Sequence, residues 1–174
     1  MQSVASSPDA SPTGDALRRR LAEIGVPLFE PTPTGSTRSA VGPLLVALLR
    51  SGDPRLLASI PCALAATANS PVGVPSDLSG SEQDRLGLLH YAARCLATSR
   101  SPDLTQLFGK PLELPPSTAE PAGLPDPAES FGKRGLAAAS ERDPQLVGDA
   151  IRLFDQWLRI QRLERRTREP ARTR

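Results

Sequence analysis

The chain has 174 residues, a formal net charge of +2, 39% apolar residues and only 3% aromatics. That length suits one domain, or a domain with an appendage. With four Phe, one Tyr and one Trp, a core must be built from Leu, Ala, Val and Ile, which suits closely packed helices better than a thick sheet sandwich.

In chain order, residues 1–13 are small and polar with two prolines and are expected to be a disordered tail, because they carry too little apolar surface to offset ordering. They also lack the basic start and apolar stretch of a secretion signal. "GDALRRRLAEIGV" reads as a first helix, with Asp15 as its cap, Leu17, Leu21 and Ile24 on one face, and Gly25 as its stop. "PLFEPTPTGSTRS" is turn-rich. "SAVGPLLVALLRSG" is apolar nearly all round and is expected to be the most buried helix, with Ser39 as its N-cap. It is also the most apolar run, far short of the roughly 20 residues that cross a bilayer. A soluble, cytoplasmic protein is expected.

Two segments then open alike. In "SGDPRLLASIP" and "ERDPQLVGDAI", an Asp can accept hydrogen bonds from the first free amides of a helix, and a Pro fits the first helical position. Asp53-Pro54 precedes Leu56, Leu57, Ile60 and Leu64, and Pro61 forces a kink or restart. Asp143-Pro144 precedes Leu146, Val147, Ala150, Ile151 and Phe154. Two occurrences make helix-start grammar, not a repeat array, which needs several units at a fixed period. "SGSE", Ser79 to Glu82, is a capping box for a helix over about 80–99, followed by a short turn ending at Gly109.

Lys110 to Pro127 holds six of the nineteen prolines, so neither a helix nor a central strand can run through it. It reads as a solvated tether or as a strap lying in a partner's groove, with Leu112 and Leu114 as contacts. Beyond it come a helix around 129–139 and a long one from Pro144 to about Arg168, whose Phe154, Trp157 and Arg159 are of the residue types favoured at binding hot spots. Leaving Phe154 and Trp157 in water costs about 1.5–3 kcal/mol each, so this C-terminal hairpin is expected to pack back on the rest.

A lone histidine, His90, has no carboxylate at a helical spacing that would orient it. Cys62 and Cys95 each sit in an apolar segment, the setting of a small buried hydrophobe, and no CxxC spacing or His cluster offers a metal site. "GVPSDLSGSE" and "ESFGKRG" lack the glycine spacing and preceding strand of a phosphate loop. No metal, cofactor or catalytic set is expected. The charge is lopsided: residues 159–174 hold seven Arg and two Glu, a balance of +5, which leaves −3 for the rest. Arg162, Arg165, Arg166 and Arg168 could therefore meet phosphate backbone or an acidic protein, or simply form a solvated basic helix end.

At "VGPLLVALLRSGDPRLLASIPCALAA" the chain resembles small bacterial helical, antitoxin-like proteins encoded beside minimal nucleotidyltransferases. The resemblance implies direct binding to such an enzyme, as inhibitor or adaptor, by a protein without catalytic residues of its own. The full expectation is an all-α protein: a helical bundle over 14–108, a long Pro-rich strap over 109–127, a C-terminal helical hairpin over 128–168, and a basic tail over 169–174. Its expected function is non-catalytic protein–protein interaction through the C-terminal helix and the strap, with a partner encoded nearby. A nucleic-acid-binding regulator using the Arg-rich end is the alternative, and no membrane association is expected.

Overall fold

The computed structural model describes residues 12–31, 41–68 and 76–168. Ser39, the proposed cap, lies outside them, as do residues 1–11 and 169–174. The architecture is all-α, and no strand occurs among the described residues. The helices are α1 (Gly14–Glu23), α2 (Val41–Arg50), α3 (Pro54–Ala58), α4 (Ile60–Ala66), α5 (Gly80–Ser99), α6 (Ser101–Phe108), α7 (Lys133–Arg142) and α8 (Pro144–Arg168). A 3-10 turn, Glu129–Gly132, precedes α7.

Three helix starts written in the sequence, at Asp53, Ser79 and Asp143, are made as read. Asp53 accepts from the Arg55 amide at 2.9 Å and Asp143 from the Leu146 amide at 3.0 Å. The Ser79 hydroxyl accepts from the Glu82 amide at 3.3 Å while the Glu82 carboxylate accepts from the Ser79 amide at 2.9 Å. Arg50 reaches across from α2 to the same carboxylate at 2.9 Å. This pairing, with the Ser79 amide, holds the Glu82 carboxyl down at about 2. The chain restarts at Pro61 as expected: α3 ends at Ala58 and α4 begins at Ile60.

Four local expectations are corrected. Thr13, not Asp15, caps α1, accepting from the Ala16 amide at 3.4 Å. The helix already begins at Gly14, so Asp15 lies inside the first turn and pairs with Arg18 instead. The most buried helix is α4, with Ile60 to Ala65 all inside. In α2, Pro43 is exposed, and Val46 and Ala47 are half-buried. An all-apolar sequence at the edge of a bundle cannot be covered on every side. The short turn before Gly109 is a two-turn helix, α6, stopped by Gly109 in the left-handed region at φ +75°. The helix expected over 129–139 starts later, because Ser130, Phe131 and Gly132 are all left-handed, at φ +51°, +55° and +78°.

Helix α5 lies at the centre, packed on α4, α6, α7 and α8. Its neighbours cover so much of it that Leu86, Leu88, Leu89, Tyr91, Ala92, Ala93, Cys95 and Leu96 are all buried. Helix α8 crosses α3, α4, α5, α6 and α7. One apolar cluster runs from Leu17 to Leu158, so α7 and α8 share the core with the earlier helices.

Candidate partner-binding site at the end of the C-terminal helix

The chemical inventory sets the frame. Among the described residues no three His, Cys, Asp or Glu side chains group to hold a metal ion. No described helix is long and apolar enough to cross a membrane. Both cysteines are buried and unpaired. Burial pushes the Cys95 thiol up to about 11 and that of Cys62 higher still, so neither offers a thiolate at neutral pH. His90 sits 2.6 Å from the Pro115 carbonyl through Nε2. A carbonyl can only accept, so that nitrogen carries the proton and the ring serves as a bracket.

That bracket belongs to a set. Successive turns of α5 grip the Pro-rich segment: Tyr91 donates to the Pro125 carbonyl at 2.6 Å, and Arg94 pairs with Glu120 at 2.8 Å. Gly87 lets the segment touch the helix backbone, because a Cβ there would lie 1.7 Å from the Ala119 carbonyl oxygen. Leu112 and Leu114 are half-buried against the same core. They are therefore largely used within the chain, and the groove that the segment fills is its own α5.

Helix α8 divides its candidates sharply. Phe154 and Trp157, expected as partner anchors, are 0% and 1% exposed. Trp157 donates from Nε1 to the Gly25 carbonyl at 2.9 Å, and its ring meets Phe154 edge-on at 5.3 Å and stacks on Phe108 at 6.1 Å. They hold the hairpin to α1 and α6 and present nothing outward. The other face is open. Arg159 and Arg166 are exposed, and Leu163 between them is 60% exposed. Arg162 forms an ion pair with Asp103, and Arg165 donates to the Gln106 carbonyl, so these two clamp α8 to α6. Arg168 reaches Glu164 at 3.9 Å and stays exposed. Of the expected residues, then, Arg159, Arg166 and Arg168 are available to a partner, Arg162 only in part.

Sequence reasoning missed three exposed apolar groups, of which Phe108 still stacks on Trp157 while Leu163 and Phe131 face outward. Leu163 falls off the buried 3.6-residue stripe of α8, and that signal was present in the pattern. Phe131 is 77% exposed on left-handed backbone. The contact that puts it there is Gly132, whose Cβ position lies 2.2 Å from the Cys95 carbonyl oxygen, a long-range packing fact with no local signature. Comparisons with protein-family models, curated proteins and solved structures give no match.

Proposed function

We propose that this chain is a non-catalytic interaction subunit, an antitoxin-like adaptor or inhibitor that grips a partner enzyme with the last turns of α8. The observation that carries the reading is Leu163, held 60% exposed between the exposed Arg159 and Arg166. An apolar point ringed by guanidinium groups is the make-up of a small hot spot, with the apolar centre desolvated and the charges steering approach. The matching partner surface is acidic with an apolar dimple. The likeness of residues 41–66 to antitoxin-like proteins supports a nucleotidyltransferase as that partner. Those residues build the core here, so they act as scaffold and the grip lies elsewhere.

Size-exclusion chromatography with the purified product of the neighbouring gene tests this. The expected result is a complex that elutes ahead of either component and is lost in Leu163→Asp. A wild-type chain that never co-elutes would sink the proposal. The exposed arginines also support a second reading, binding to nucleic acid. Fluorescence anisotropy with a short duplex separates the two, since phosphate binding weakens steeply with salt. Binding that persists unchanged in Leu163→Asp but falls with salt favours the duplex.

A further inference from the structure

The last turns of α8 and the end of α6 enclose a hollow of about 240 Å³, lined by Gln106 and Leu107 of α6 and by Arg162, Arg165 and Arg166 of α8. The three arginines stand at i, i+3 and i+4, so they share one face of the helix. Like charges at those spacings repel and weaken a helix. The preference of a helix C-terminus for cations offsets part of that cost. It does not account for three guanidinium groups around one hollow.

We propose that this hollow binds a small polyphosphate anion, two or more linked phosphate groups as in inorganic pyrophosphate, held by Arg162, Arg165 and Arg166. A guanidinium fork matches phosphate oxygens with paired N–H donors, and each group carries five such donors. Arg162 meets Asp103 through Nη2, and Arg165 meets the Gln106 carbonyl through Nη1. Those bonds fix where two of the groups stand, so less side-chain freedom is lost when an anion arrives. Arg166 is exposed and has no ion-pair partner among the described residues.

Two features oppose an anion here. Asp103 offsets one of the three positive charges. The last carbonyls of α6 are partly negative, and Arg165 covers the one at Gln106. The size of the hollow selects the ligand. Neighbouring positions on a helix face lie about 5–6 Å apart at Cβ, so one phosphate group faces two of the arginines. A second group, linked through a shared oxygen, reaches the third, and about 240 Å³ has room for both.

The site adjoins the grip proposed above without being it. That grip centres on Leu163 on the outer side of α8, whereas the hollow lies on the side that faces α6. Arg166 borders both, so a bound polyphosphate opposes the partner. Anion binding is measured on the chain alone, and it stands or falls whether or not the partner complex forms.

The test is isothermal titration calorimetry of the full chain with inorganic pyrophosphate, at low salt and without divalent cations. About one equivalent is expected to bind, at least about tenfold more tightly than inorganic orthophosphate. Arg166→Gln, a change at an exposed position, weakens binding at least about tenfold. Arg166→Lys keeps the charge but loses the fork, and falls between the two. Arg152→Gln removes the same charge from α8 about 20 Å away, at 1.5 Å per residue, and leaves binding within about twofold. The absence of saturable binding overturns the proposal. So does pyrophosphate that binds no better than orthophosphate. Equal losses in Arg166→Gln and Arg152→Gln overturn it too, because they would mean a diffuse positive field in place of a site. A short DNA duplex that binds more tightly than pyrophosphate and is not displaced by it gives the arginines to a nucleic-acid backbone, and overturns it as well.

Discussion

The Pro-rich segment and the last turns of α8 hold the chain's two compositional extremes, prolines in one and arginines in the other, and they meet opposite fates. The prolines remove backbone donors, so the segment makes neither helix nor sheet. Its carbonyls at Pro115 and Pro125 are instead taken by His90 and Tyr91 of α5, and its Glu120 by Arg94. The arginines extend a regular helix past the core, and among the described residues Arg162 and Arg165 are the two that find acceptors on α6. Composition made both look outward-facing. What separates them is whether another element of the same chain offers complementary groups within reach.

The largest effect is expected at the tryptophan that fastens α8. Trp157→Ala removes a fully buried ring and its bond to Gly25. It should cost about 3–5 kcal/mol, read as an early midpoint in urea. A loss under about 1 kcal/mol would mean that the hairpin is not part of the cooperative core.

Next in size is Gly87→Ala. The added methyl would meet the Ala119 carbonyl, pushing the Pro-rich segment off α5. The expected loss is about 1–3 kcal/mol, with faster proteolysis within residues 110–127. Unchanged stability would show that the segment is only loosely applied. Tyr91→Phe is smaller, about 0.5–1.5 kcal/mol, because it deletes one hydrogen bond and keeps the ring.

At the other end, Arg159→Glu with Arg166→Glu should leave thermal stability within about 0.5 kcal/mol while abolishing the partner complex. Equal losses in both would place those arginines in the fold after all. The smallest effect is on pH dependence. Glu82 is held near 2 in the folded chain, against an ordinary value of 4.5. A depressed carboxyl contributes stability that is fully present above its unfolded value and is lost as pH falls through the folded one. Glu82→Gln should therefore flatten the acid limb of an unfolding curve between about pH 4.5 and 2 and leave the neutral region shallow as before. An acid limb that is as steep in the variant would assign it to other carboxylates.

Legibility followed the range of the interactions. Asp53, Asp143 and the Ser79–Glu82 pair were readable because each cap joins residues two or three apart. Gly109 was readable as a stop for the same reason. Thr13 was missed by two residues, since helix starts slide within a run of small polar side chains. Of the candidate site, Arg159 was named by residue type and Arg166 from the run of charge, and both are exposed. Phe154 and Trp157 were named as aromatic anchors and are internal. Residue type cannot say which neighbour will cover a ring.

Local sequence was enough for the all-α class, the starts of α3, α5 and α8, the stop of α6, the break in regular structure across residues 110–127 and the asymmetry of charge. These rest on backbone sterics and on bonds closed within a turn of helix. Only the tertiary structure decided which faces are left over. It did so through contacts such as Trp157 to Gly25 and Tyr91 to Pro125, whose partners lie 132 and 34 residues apart. Burial depends on surfaces that no local window contains, so the burial of Phe154 and Trp157 and the exposure of Phe131 appear only once the chain has closed on itself.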